Sequence, residues 1–117
     1  MIGRYMLIGG IMGALGIVSA AAAAHGHDTE KLASVSQILL VHGAVLVAIA
    51  LHGSLTIALR LGAATLAFGA TLFSADVALY VLKDTHLFSH AAPIGGGALI
   101  IGWLLLALSA FTLKGQR

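Results

Sequence analysis

Long apolar runs alternate with short polar breaks along almost the whole chain. The runs cover roughly Tyr5–Ala24, Leu32–Leu51, Leu61–Leu82 and Pro93–Phe111, and none contains more than one acidic or basic side chain. A hydrocarbon core about 30 Å thick needs ~20 helical residues to cross it. Each run is therefore long enough to span. Strands of an outer-membrane barrel would show segments of ~10 residues with strict alternation, and no such alternation is present. Helices satisfy their own backbone hydrogen bonds in lipid. The pattern predicts an all-α fold: four transmembrane helices forming one domain over residues 1–117.

The breaks set the topology. They are His25–Lys31, His52–Arg60 (mildly apolar, in part helical or interfacial) and Lys83–His90. Connections this short make neighbouring helices antiparallel and give an up-down-up-down bundle. Pro93 falls where a helix start tolerates it, because the missing N–H has no intrahelical acceptor there. Basic residues bias orientation. Arg4, Arg60, Lys114 and Arg117 belong to one side, and Lys31 and Lys83, each beside acidic neighbours, to the other. The expectation is both termini in the cytoplasm.

Composition agrees with the pattern and removes several classes. The chain is 60% hydrophobic and 9% charged, whereas soluble domains carry about 25% charged residues. The isoelectric point near 9.4 reflects basic residues at membrane edges rather than a patch, so nucleic-acid binding is not expected. There is no Cys, which excludes disulfides and thiolate chemistry. The first run imitates a secretory signal: Arg4, then apolar Met6–Val18, then small Ser19–Ala24. Its apolar length exceeds the usual 7–15 residues of a signal core, so it is expected to remain as a span. Cleavage after Ala24 would instead expose His25-Gly26-His27, a copper-binding arrangement in principle.

Small residues indicate close helix packing. Gly9, Gly13 and Gly16 line one strip of the first helix, with Ala20 beyond; Ala98 and Gly102 repeat the spacing on the fourth. Small residues four apart let helix backbones approach closely. Whether they do so within one chain or between chains is open at this level. The two halves of the chain show no convincing repeat.

Few residues could carry chemistry. His42 lies near the middle of the second span, and intramembrane ionisable groups face a bundle interior or a cavity. It reads as a proton relay or metal ligand on one side, and as hydrogen-bonded packing glue on the other. Asp76 sits six residues before Leu82, roughly 9 Å deep at 1.5 Å per residue, with Tyr80 four residues on along the same face. His25 follows the first span on the same side of the membrane. Together His25, Asp76 and His42 could form a polar track from that surface inward. A metal site is not expected, because the spacing matches no motif; His25 and His27 are its weak candidates. No cofactor is expected either: haem would need two opposed axial groups, and His42 and His52 on one helix cannot supply them. Phosphate loops, dinucleotide fingerprints and nucleophile elbows are missing.

Several patches, read in order, form a familiar set. They are Ala24-His25-Gly26 closing the Gly-rich first helix, Gln37 and His42, Phe73-Ser74 with Leu79-Tyr80, Ala92-Pro93-Ile94-Gly95-Gly96, and Gly102-Trp103-Leu104-Leu105. Their order and spacing over nearly the whole chain resembles the domain-of-unknown-function family 423 (DUF423), the small YgdD-like membrane proteins. That resemblance implies a four-helix integral membrane protein and brings no biochemical activity with it. The functional expectation is a non-enzymatic accessory or interaction subunit, its partners being the bilayer and other membrane subunits or itself. The alternative is a small transporter or channel-like protein for protons, metal ions or a small solute, with His42 and Asp76 on the path.

Overall fold

The computed structural model describes residues 2–26, 29–53 and 56–113. It contains α1 (Ile2–Ala24), α2 (Thr29–His52), α3 (Ile57–Lys83) and α4 (Ala91–Leu113). All four are long and apolar enough to cross a membrane. The chain is thus an up-down-up-down bundle of transmembrane helices with short connections.

Each helix extends beyond its apolar run, for local reasons. α2 begins at Thr29 with Glu30 in its first turn, where a carboxylate complements the positive end of the helix dipole. α3 begins at Ile57 because Thr56 caps it: the Thr56 Oγ1 accepts from the Leu59 N–H at 3.3 Å. α3 ends at Asp84, which adopts a left-handed conformation (φ 56°) and donates its N–H to the Tyr80 carbonyl. α1 closes similarly, with Gly26 at φ 88° just beyond its last turn. Only glycine takes that conformation without steric cost.

The helices pair as two hairpins, α1 along α2 and α3 along α4, joined by a narrower α2–α3 seam. α1 and α4 form no comparable interface. Glycines zip both hairpins. A Cβ on Gly9 would lie 2.7 Å from the Gly43 carbonyl oxygen, and one on Gly43 would lie 2.8 Å from that of Gly9. In the second hairpin Gly69 and Gly95 face each other at 2.8 and 3.0 Å by the same measure. Gly16 admits Leu40 and Gly102 admits Leu66. Gly13 differs: its own missing side chain points into open space. Ala98 is half-buried, and the closest approach on its helix belongs to Gly95 one turn earlier.

Between the hairpins the core uses larger side chains. Leu46 of α2 and Leu66, Ala63 and Ala70 of α3 are completely buried. The molecule is flattened, 49 × 27 × 20 Å, and its outer faces are apolar. Leu7, Ile17 and Val18 of α1, and Ile100, Leu104 and Leu108 of α4, are all more than half exposed. In a bilayer these surfaces meet lipid or other helices at no hydrophobic cost. We call the end bearing the α1–α2 and α3–α4 turns the upper end.

Candidate functional site

The two buried ionisable side chains of the spans stand in separate clusters. The first is centred on His42, 4% exposed near the middle of α2. Its Nδ1 lies 2.7 Å from the Ile38 carbonyl oxygen one turn earlier. Its Nε2 accepts the indole N–H of Trp103 on α4 at 3.0 Å. Indole nitrogen can only donate, so Nε2 supplies the lone pair and Nδ1 carries the proton that Ile38 receives. The ring is therefore the neutral Nδ1–H tautomer with both nitrogens engaged. The rings meet edge to face, 5.7 Å apart at 65°. This contact ties α2 of one hairpin to α4 of the other. With its lone pair occupied by an indole N–H, His42 has nothing left for a metal.

The second cluster lies at the upper end around Asp76, which is 1% exposed. Its Oδ1 accepts the Leu87 backbone N–H at 2.8 Å. Its Oδ2 accepts from His86 Nδ1 at 2.9 Å. Asp76 is seven residues, about 10 Å, below the end of α3 at Lys83. The α3–α4 connection therefore folds back along the helix to reach it. His86 stacks on Tyr80, centroids 4.7 Å apart at 13°, and the Lys31 ammonium of α2 stands 5.6 Å from the other partner in this stack, the Tyr80 ring. That distance is within cation–π range. A small cleft of about 280 Å³ opens here between Lys31, Ser34, Asp76, Tyr80, His86 and Ala92. Chemically, the carboxylate anchors a loop: both its oxygens are occupied by that loop.

The structure brings Asp76 and Tyr80 into one cluster and keeps His42 and His25 apart from it. His25 is exposed at the end of α1, where its Nδ1 lies 2.7 Å from the Ala21 carbonyl oxygen, so it serves its own helix end. Among the described residues no hydrogen bond links His25, Asp76 and His42 into a track. No group of three or more potential metal ligands occurs among them either; His27 lies outside the described residues. Sequence reasoning missed the partners. Trp103 stands 61 residues from His42, and His86 was visible only as one of several loop histidines. Gly43, Gly69 and Gly95 were readable as small residues but not as the points of closest approach.

Four membrane-spanning helices with short turns, and buried ionisable groups paired inside the chain, define a small polytopic integral membrane protein. The profile of the family described as protein of unknown function DUF423 matches residues 12–96. The chain belongs to that family. It is similar to a UPF0382 membrane protein of Staphylococcus saprophyticus, with 25% identity over 115 residues, covering 92% of this chain and 96% of the relative. A UPF0382 membrane protein of Staphylococcus epidermidis is 26% identical over 119 residues, covering 95% and 98%. No solved structure matches.

Proposed function

We propose that this protein acts by association within the membrane, as a non-enzymatic accessory or interaction subunit, with both termini in the cytoplasm of a bacterial cell. One observation carries the reading. Both buried ionisable side chains in the spans, His42 and Asp76, are spent on holding the chain together. A transport path through them would need a chain of hydrogen-bonded groups between the two clusters, and no hydrogen bond among the described residues joins them. What the chain does present is apolar helix surface on α1 and α4. The glycines at the closest approaches serve packing within the chain, so association rests on the larger outer side chains: Leu7, Ile17 and Val18 on α1, and Ile100, Leu104 and Leu108 on α4.

The test is gentle purification of the tagged chain from its own membranes, followed by native mass spectrometry. The association reading expects a particle heavier than one chain, and expects Val18→Lys or Leu104→Lys to return it to the monomer. A monomer in mild detergent, together with His42-dependent ion flux in proteoliposomes, would overturn it in favour of transport.

A further inference from the structure

Gln37 belongs to neither polar cluster. It is exposed on α2, and no residue among those described hydrogen-bonds its carboxamide. It lies eight residues below Thr29, about 12 Å along the axis. A helix of 24 residues is about 36 Å long and overhangs a hydrocarbon core of ~30 Å by only ~3 Å at each end. The Gln37 backbone is then ~9 Å inside the hydrocarbon, farther than its side chain reaches. Lipid offers a carboxamide no hydrogen bond, so an unpaired one is costly there.

The surface around Gln37 leaves room for a close neighbour. From Ser34 to Leu51 the exposed residues of α2 are Ser34, Gln37, Val41, Ala44, Ala48 and Leu51. They fall at alternating intervals of three and four, the spacing of a left-handed helix–helix seam. Ser34, Ala44 and Ala48 are small enough to let a second backbone approach. The carboxamide itself selects the partner. It holds a donor NH2 and an acceptor oxygen on one carbon, so a second carboxamide in the opposite sense satisfies both. A second copy inserted with the same topology brings one to the same depth. A two-fold axis along the membrane normal makes the exchange reciprocal.

We propose that the exposed face of α2 docks a second copy of this chain, with the two Gln37 carboxamides paired across the axis. This pairing rests on the association reading: the outer faces of α1 and α4 supply apolar area, and Gln37 supplies the contact that fixes partner and register. The test uses the full chain in its own membranes and in mild detergent. Val41→Cys, one turn from Gln37 in a chain without Cys, should form a disulfide-linked dimer on mild oxidation. Leu15→Cys, exposed in the apolar cavity between α1 and α3, should not. Gln37→Leu should weaken self-association about tenfold by native mass spectrometry, at ~threefold for each of two interhelical hydrogen bonds. Its monomer should keep the wild-type unfolding midpoint, because the carboxamide bonds nothing inside the chain. A dimer that Gln37→Leu leaves as tight as wild type, or a lowered midpoint in the monomer, overturns the pairing while association stands. Cross-linking at Leu15→Cys but not at Val41→Cys overturns it as well, by placing the interface elsewhere. A chain that is monomeric in both settings overturns the association reading together with it.

Discussion

Contacts within each hairpin differ in kind from contacts between the hairpins. Within α1–α2 and α3–α4 the backbones meet directly: Gly9 against Gly43, and Gly69 against Gly95. Between hairpins the links are leucine packing at Leu46 and Leu66 and a few polar ties. His42 reaches Trp103, Lys31 reaches Tyr80, and the Tyr5 hydroxyl donates to the Arg60 carbonyl oxygen at 3.4 Å. The difference follows from lipid as solvent. Hydrocarbon does not drive apolar helices together, so association comes from close packing or from hydrogen bonds. The helices of each hairpin use the first. Between the hairpins, even across the short α2–α3 connection, larger side chains and polar ties take over.

This contrast can be broken at either kind of contact, and the glycine contacts should break hardest. Gly9→Leu or Gly95→Leu drives a side chain into backbone atoms less than 3 Å from where its Cβ must sit. Overpacking of this kind costs about 1–3 kcal/mol and often more when backbone is the obstacle. The expected result is a large drop in thermal unfolding midpoint in detergent, or failure to accumulate in membranes. A neutral Gly95→Leu would deny the close approach.

Removing a polar tie should cost less. Asp76→Ala strands the Leu87 N–H and releases His86, for an expected loss of about 1–3 kcal/mol. Its signature is local: hydrogen exchange should quicken in the 84–90 connection while α1 and α2 keep their protection. Uniform loss of protection would show that Asp76 does more than anchor that connection. Tyr5→Phe removes a long, exposed bond and should change the unfolding midpoint by no more than about 0.5 kcal/mol equivalent, the usual limit for surface substitutions.

The sharpest contrast with Gly9 belongs to Gly13. Both lie in the glycine strip of α1, yet a Cβ at Gly13 meets nothing within 4 Å. Gly13→Ala should be neutral or stabilising by up to about 1 kcal/mol through helix propensity. Gly9→Ala should destabilise. Measuring the two midpoints side by side separates a glycine whose missing side chain faces the partner helix from one whose missing side chain faces open space.

The distinction between those two glycines also marks how far the sequence could be read. Four spans and their antiparallel order were legible because membrane thickness fixes helix length, and ~20 apolar residues admit no other reading. Helix ends were less so, since caps such as Thr56 lie in polar breaks. Asp76 and Tyr80 sharing a face was legible from spacing alone. The partner of His42 was not. Its helix is apolar on nearly every side, so nothing in the pattern fixes rotation about the axis, and the bond to Trp103 depends on that rotation in two helices. His86 escaped for a different reason. The α3–α4 connection folds back to the depth of Asp76, and no local periodicity records where an irregular segment turns.

His42 is a tie between hairpins rather than a station on a route. A double-mutant cycle of unfolding free energy over His42→Ala, Trp103→Phe and the pair tests this directly. The structure predicts a coupling of about 0.6–1.7 kcal/mol, the range of interhelical hydrogen bonds in membranes, with Trp103→Phe costing little more once His42 is gone. Strictly additive losses would mean that the two side chains do not meet, and would return His42 to the pool of unpaired groups from which a proton path could be built.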